Sequence, residues 1–287
     1  MDKLIVNFTP TGMLMKKHNT PHIPICPNEI VEDVRKACEI GITSVHLHAR
    51  SSKNQEPCYE KEVFEEIILG IREFAPDLVI SVTTSGRIYH EFEKRTDVLD
   101  LTGKSKPDMA SLTLSSLNFN KTASINTPDM IQDICRKMNE RGIKPELEVF
   151  DSGMINYAKY MLKKEMLMTP LYFNLILGNI ACAQADLLHA GVMINDLPEQ
   201  SIVVFGGIGN AQLPITALAI SMGYGVRIGL EDNIWYDEER TQLATNTDYL
   251  LRISEIAKAL NREICTPSEL RQRLRLKGGF GEYGSLE

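Results

Sequence analysis

Strand-like runs and amphipathic helical runs alternate along this chain from one end to the other, and that alternation restricts the fold more than any other feature. Strands are expected at 4–8, 43–48, 78–83, 109–114, 145–150, 172–177, 202–205 and 226–230, each followed by helical sequence. Punctuation supports the segments. Asn28 is the expected N-cap of the first helix, with Glu29 and Glu32 in its opening turns and Gly41 at its end. Thr127-Pro128 and Gly142 bracket a later helix, and a short one is expected at 183–188. Eight βα units in 287 residues, evenly spaced and without a linker, predict an α/β fold of the (β/α)8 TIM-barrel type. The expected domain is a single barrel over 1–287, with a C-terminal helical extension over about 246–287.

Composition narrows the partners. A net charge of −7 argues against nucleic acid, which needs a basic surface to displace counterions. No apolar run reaches the length of a membrane span and the start of the chain passes directly into a strand pattern, so a cytoplasmic protein with no membrane partner is expected. The six cysteines are scattered, with no CxxC and no zinc-finger spacing, and read as reduced thiols. The basic run Arg271, Arg273, Arg275 and Lys277 reads as a solvated helix face or a subunit contact.

In a barrel of this kind chemistry sits at the C-terminal ends of the strands. The second strand ends Val45-His46-Leu47-His48-Ala49-Arg50, and alternation puts His46 and His48 on one face. Two such imidazoles are as well core histidines bonded to backbone as they are metal ligands; a carboxylate delivered to the same mouth would decide. The eighth strand ends Arg227-Ile228-Gly229-Leu230-Glu231-Asp232-Asn233, with Arg227, Gly229 and Glu231 on one face, so Glu231 points towards the histidines. Glu231 is either the ion-pair partner of Arg227 or a third ligand, and beside the two histidines the ligand role is favoured. Two histidines and one carboxylate suit catalytic Zn²⁺ and also non-haem Fe(II). Other polar strand ends are Thr83 and Ser85, Thr113 and Ser115, and Glu146 and Glu148, of which Glu148 is the costliest to bury without a function. An inward arginine beside a divalent ion suits an anion, such as a β-keto acid that chelates through its carboxylate and keto oxygens. Gly206, Gly207 and Gly209 open a helix after the seventh strand, where amides could hold a phosphate or thioester; a tight turn is an equal reading.

At these residues the chain resembles the β-keto acid cleavage enzymes. The matching motifs are Pro10-Thr11-Gly12, the His46-to-Arg50 stretch, Met109-Ala110-Ser111-Leu112, Lys144-Pro145-Glu146-Leu147-Glu148-Val149-Phe150-Asp151, Gly207-Ile208-Gly209 with Ala211-Gln212-Leu213-Pro214, and Arg227 to Asn233. They fall in family order over nearly the whole chain. The resemblance implies a zinc-dependent barrel, a homotetramer, that condenses a β-keto acid with acetyl-CoA and releases acetoacetate and a new acyl-CoA. It implies His46, His48 and Glu231 as zinc ligands, Arg227 as the group assisting deprotonation, Asp232 as its orienting partner, and Thr83, Ser85, Thr113 and Glu148 as substrate-pocket positions. A guanidinium is a poor base, so the location of Arg227 carries more weight than that role.

One position departs from the family. Many members carry an acidic residue two positions after the glycine of the Pro-Thr-Gly motif, where this chain has Leu14, followed by Lys16 and Lys17. The departure weakens the expectation of an amino-bearing substrate, and a nearby lysine would suit an anionic or dicarboxylate one. Three rivals are weighed. A metal-dependent amidohydrolase needs further histidines at later strand ends, whereas His18, His22, His90 and His189 lie in the first loop or in helical sequence. A hydroxymethylglutaryl-CoA lyase-like enzyme would place its HxH late in the barrel. A metal- or acyl-CoA-binding barrel without turnover is the non-enzymatic alternative.

Overall fold

In the computed structural model, which describes residues 2–286, eight parallel strands close on one another. They are β1 (Val6–Phe8), β2 (Ser44–Leu47), β3 (Val79–Val82), β4 (Met109–Thr113), β5 (Lys144–Val149), β6 (Leu171–Leu177), β7 (Ser201–Gly207) and β8 (Gly225–Ile228). Each pairs with its neighbours in sequence, and β1 closes the ring by pairing with both β2 and β8, Asn7 lying beside Ser44 on one side and Arg227 on the other. The helices are α1 (Pro27–Ile40), α2 (Lys61–Arg72), α3 (Phe92–Thr96), α4 (Pro128–Glu140), α5 (Ser152–Lys163), α6 (Leu187–Asp196), α7 (Gln212–Met222), α8 (Asn246–Ala259) and α9 (Pro267–Leu274). A two-stranded antiparallel ribbon, Leu117–Asn118 with Ala123–Ser124, rises from the loop after β4.

Strand alternation sorts the interior into layers. Outward positions such as Val45, Leu47, Ile80 and Leu147 join the helices in the larger apolar core. Inside the barrel, Ile5, Val79, Met109, Tyr172, Ile202 and Val204 form an apolar floor at the N-terminal end, closed from below by Leu270 and Leu274 of α9. Above that floor the inward residues turn polar: Asn7, Ser44, His46, Ser81, Glu146 and Asn174 are all buried. An apolar layer at one end and a hydrogen-bonded polar layer above it leave the C-terminal mouth as the place for chemistry.

Three local expectations are corrected. Pro27 occupies the first helical position and Cys26 is the N-cap of α1, so Asn28 lies inside the helix; the Glu29 carboxylate accepts from the N–H groups of Ile25 and Cys26. The helix expected at 183–188 begins at Leu187, because the Asp186 side chain accepts from the His189 N–H and fixes the start there. Arg271 does not belong to a solvated face. It is 2% exposed and holds the buried Asp108 carboxylate through Nη1 and Nη2, both at 2.8 Å. Arg72 Nη2 joins them at 2.8 Å, and the Ile80 and Gly284 N–H groups complete the shell. No described helix is long and apolar enough to cross a membrane.

Candidate metal centre and substrate cavity

His46 lies within β2 and His48 one step past its end, and both imidazoles are buried. Their Nε2 atoms face one another at 3.2 Å, and Glu231 Oε1 lies 3.1 Å from His48 Nε2. The ligand atoms of His46, His48 and Glu231 all lie within 4.8 Å of one another. Glu231 reaches them from the turn after β8, whose backbone is fixed at several points. Its N–H donates to Thr9 O at 3.2 Å, Gln212 donates to Gly229 O, and Asn246 ties Leu230 N–H to Pro10 O. Gly229 makes this turn possible, because a Cβ there would stand 2.1 Å from the Thr9 carbonyl oxygen. The room left by this glycine is thus taken by backbone.

Glu146, on the same strand face as Glu148 but deeper, sets the orientation of His46. Its Oε2 lies 2.8 Å from His46 Nδ1 and also accepts from the Ser81 hydroxyl, while Oε1 accepts from Asn7 Nδ2 at 2.9 Å and Asn174 Nδ2 at 3.1 Å. Burial works against the Glu146 charge, but His46, Arg227 and the hydrogen bonds outweigh it and hold the carboxyl down at about 2. Burial works against the His46 imidazolium, but Glu146 outweighs it and raises the group to about 9. The same carboxylate keeps a proton on Nδ1 and aims Nε2 towards His48 and Glu231, so a cation bound there would displace the proton of Nε2. Burial pushes the His48 imidazolium down, favouring the neutral ligand form. Glu231 is kept ionised, because Arg227 and the two histidines overcome its burial, and its Oε2 is buried without a hydrogen-bond partner. Two imidazole nitrogens and an ionised carboxylate with one unpartnered oxygen converge at one point and fit a divalent cation, which would take the place of the proton on His46 Nε2.

Arg227 Nη2 donates to Glu231 Oε1 at 2.6 Å, and Nε donates to Asp232 Oδ2 at 2.8 Å. Its Nη1 has no acceptor, with Glu148 Oε1 standing off at 3.7 Å. Burial weighs against the charge, but Asp232, Glu231 and Glu148 raise the guanidinium well above its ordinary value, so Arg227 stays a cation. Burial raises both Glu148 and Asp232 from their ordinary values. Thr113 donates to Glu148 Oε2 at 2.8 Å.

These groups line a cavity of about 880 Å³ at the barrel mouth. His48, Glu231, Arg227 and Asp232 face into it, as do all four expected substrate positions, Thr83, Ser85, Thr113 and Glu148, and also Leu14. The loop carrying Leu14 is pinned by Arg50, a buried residue of the β2 motif to which the sequence assigned no task. Arg50 donates Nη1 to Gly12 O and Nη2 to Met15 O, each at 2.9 Å. The lysines expected to suit an anion face elsewhere: Lys16 pairs with Glu56, and Lys17 pairs with Glu29 at 2.8 Å. The amides of Gly206, Gly207 and Gly209 form no phosphate cradle. The first two run within β7 beside Ile176 and Leu177, and the Gly209 N–H donates to Asp232 O at 2.8 Å. Gly206 instead makes room for Arg227, whose Cδ would lie 3.0 Å from a Cβ at that position. His18, His22, His90 and His189 are exposed and outside the cavity, so the extra metal ligands of an amidohydrolase are missing among the described residues.

Comparison with known proteins agrees with this architecture. A family model described as beta-keto acid cleavage enzyme matches residues 3–276. A 3-keto-5-aminohexanoate cleavage enzyme of Fusobacterium nucleatum subsp. nucleatum is 35% identical, over 96% of this chain and 99% of the relative. A 3-oxoadipate:acetyl-CoA acetyltransferase of Cupriavidus necator is 31% identical, over 95% of this chain and 94% of the relative. Among solved structures, apo ObcA superposes with a TM-score of 0.71 at 19% identity, covering 88% of this chain and 65% of that longer one, a likeness of fold alone. The family match over nearly the whole length, together with two full-length relatives above 30% identity, shows that the chain belongs to the β-keto acid cleavage enzyme family.

Proposed function

We propose that this chain is a zinc-dependent enzyme that condenses a β-keto acid with acetyl-CoA and breaks the adduct into acetoacetate and a new acyl-CoA. The observation that carries the reading is the convergence of His46, His48 and Glu231 beside the unpartnered Nη1 of Arg227, at a cavity of about 880 Å³. The names of the two relatives above fit it, since one cleaves a β-keto acid and the other transfers from an oxo acid to acetyl-CoA.

A divalent ion held by His46, His48 and Glu231 would supply a Lewis acid for the keto and carboxylate oxygens of the substrate. The remaining work falls to the chain. Arg227 offers Nη1 to the negative charge of the bound acid and of the enolate formed from it. Arg227 cannot give up its own proton at neutral pH, so the substrate's α-proton is assigned to Asp232, whose raised carboxyl is suited to accept it. The carbon–hydrogen bond breaks, the proton passes to Asp232, and the electron pair becomes the enolate that attacks the thioester carbonyl and displaces the coenzyme A thiolate. The thiolate then attacks the original keto carbonyl, the carbon–carbon bond beside it breaks to leave the new acyl-CoA, and the acetoacetate carbanion takes the proton back from Asp232. Glu148 and Thr113 hold one wall of the pocket by their mutual hydrogen bond.

A coupled assay of acetyl-CoA with a panel of β-keto acids, following acetoacetate, tests the reading on the wild type and on Glu231→Gln. Zinc content is measured on both. The wild type is expected to hold zinc and form acetoacetate, and Glu231→Gln to lose most of both. Undiminished activity with metal still bound in Glu231→Gln would overturn the ligand assignment, and wild-type zinc without acetoacetate would favour a binding barrel.

A further inference from the structure

Arg87 is a second cation at the cavity wall, and nothing in the site described above uses it. Half-buried in the loop after β3, it stacks its guanidinium over Phe119 at 3.9 Å and donates Nε to Thr122 Oγ1 at 2.9 Å. Among the described residues it makes no direct ion pair; the carboxylate whose charge it feels across the cavity is Glu231. The loop that presents it is built rather than slack. Arg95, buried beneath, donates Nε to Thr84 O at 2.8 Å and Nη2 to Asn126 Oδ1 at 2.7 Å, and Ile125 N–H donates to Gly86 O. The loop is thereby latched to the ribbon that carries Phe119 and Thr122.

Charge accounting agrees. The cavity is lined by three carboxylates (Glu148, Glu231, Asp232) and three cations (Arg87, Lys121, Arg227). A divalent ion would leave two positive charges in excess. One carboxylate of a β-keto acid answers one of them at the metal end, beside Arg227. Leu14, also in the cavity lining, adds no opposing charge.

We infer that Arg87 binds a second anionic group of the substrate, so that the enzyme prefers a β-keto diacid to a neutral or amino-bearing β-keto acid. A charge-assisted, planar contact of this kind fits a distal carboxylate. The inference rests on the function proposed above and names the substrate class of the same site.

The test compares kcat/KM for 3-oxoadipate, its distal methyl monoester and 5-amino-3-oxohexanoate, each with acetyl-CoA. The diacid is expected to lead the monoester by about tenfold or more, as one charge-assisted hydrogen bond allows. Arg87→Met keeps an apolar stem over Phe119 and is expected to collapse that ratio, while Arg87→Lys retains part of it. Glutarate, with two carboxylates and no keto group, is expected to bind the wild type in calorimetry and to weaken about tenfold or more in Arg87→Met. A wild-type ratio near one, or an equal loss on all three substrates in Arg87→Met, overturns the inference. So does a rise confined to the KM for acetyl-CoA, which would assign Arg87 to coenzyme phosphates. Should none of the β-keto acids be consumed, the function proposed above fails, and glutarate binding still decides the role of Arg87.

Discussion

Because Glu146 accepts from His46, Ser81, Asn7 and Asn174 and has no exposed surface, its work is to hold a neighbour in place. Glu146→Gln keeps the volume but sets an NH2 against one of the two donor pairs and removes the negative charge behind His46 Nδ1. The imidazole is then held less firmly and its Nε2 is a weaker donor to a metal ion. Zinc affinity, measured by competition with a chromogenic chelator, is expected to fall about 10–100-fold while the circular dichroism spectrum stays that of the wild type. Unchanged affinity would mean that Glu146 serves only the polar layer of the barrel. Alternation along residues 144–149 already turned Glu146 and Glu148 inward together. It could not say which of them meets His46, because that depends on the stagger between β2 and β5, strands that are not neighbours in the sheet. Arg87 was illegible for a similar reason, since its place at the cavity wall depends on a ribbon more than thirty residues further along.

At the level of elements, the loop after β1 and the turn after β8 lock into each other. Gly12 has φ of +66°, and a Cβ there would lie 2.6 Å from Glu231 Cγ. Gly12→Ala therefore adds left-handed strain and pushes directly on Glu231, the proposed third ligand. The expected result is a loss of zinc affinity of about tenfold or more, from a strain of about 1–3 kcal/mol expressed at the ligand, with the strands still formed. Wild-type affinity in that variant would show that the loop yields more readily than Glu231. All eight strands were legible from periodicity, as were the ends that carry His46, His48, Arg227 and Glu231. What misled was the Gly206-Gly207 pair, which looks like a turn by composition. It remains in β7 because Gly206 lies against the Arg227 side chain and Gly207 against α7. A glycine required by close packing and a glycine required by a turn look the same in a sequence.

Over the whole molecule the two ends of the barrel have separate tasks, the mouth holding the cavity and the opposite end closed by α9 and the residues after it. The closure turns on Asp108, fully buried between Arg72 and Arg271. Its importance was hidden in the sequence, where Asp108 looks like an ordinary loop residue and Arg271 like one member of a basic surface run. Burial works against the Asp108 charge, but the two guanidiniums outweigh it and hold the carboxyl below its ordinary value of 3.8. A carboxyl depressed in the folded state stabilises the protein fully above the unfolded value and loses that contribution as pH falls below it. Asp108→Asn would leave two buried guanidiniums without their charge partner, at an expected cost of about 3–5 kcal/mol in unfolding free energy by urea denaturation at pH 7. The gap between wild type and variant is expected to hold at pH 5 and to narrow as pH is lowered past 3.8 towards 3. Zinc affinity of the folded variant should match the wild type, because Asp108 contacts nothing at the mouth. A gap that stayed constant down to pH 3 would show that Asp108 acts by shape and hydrogen bonding rather than by charge.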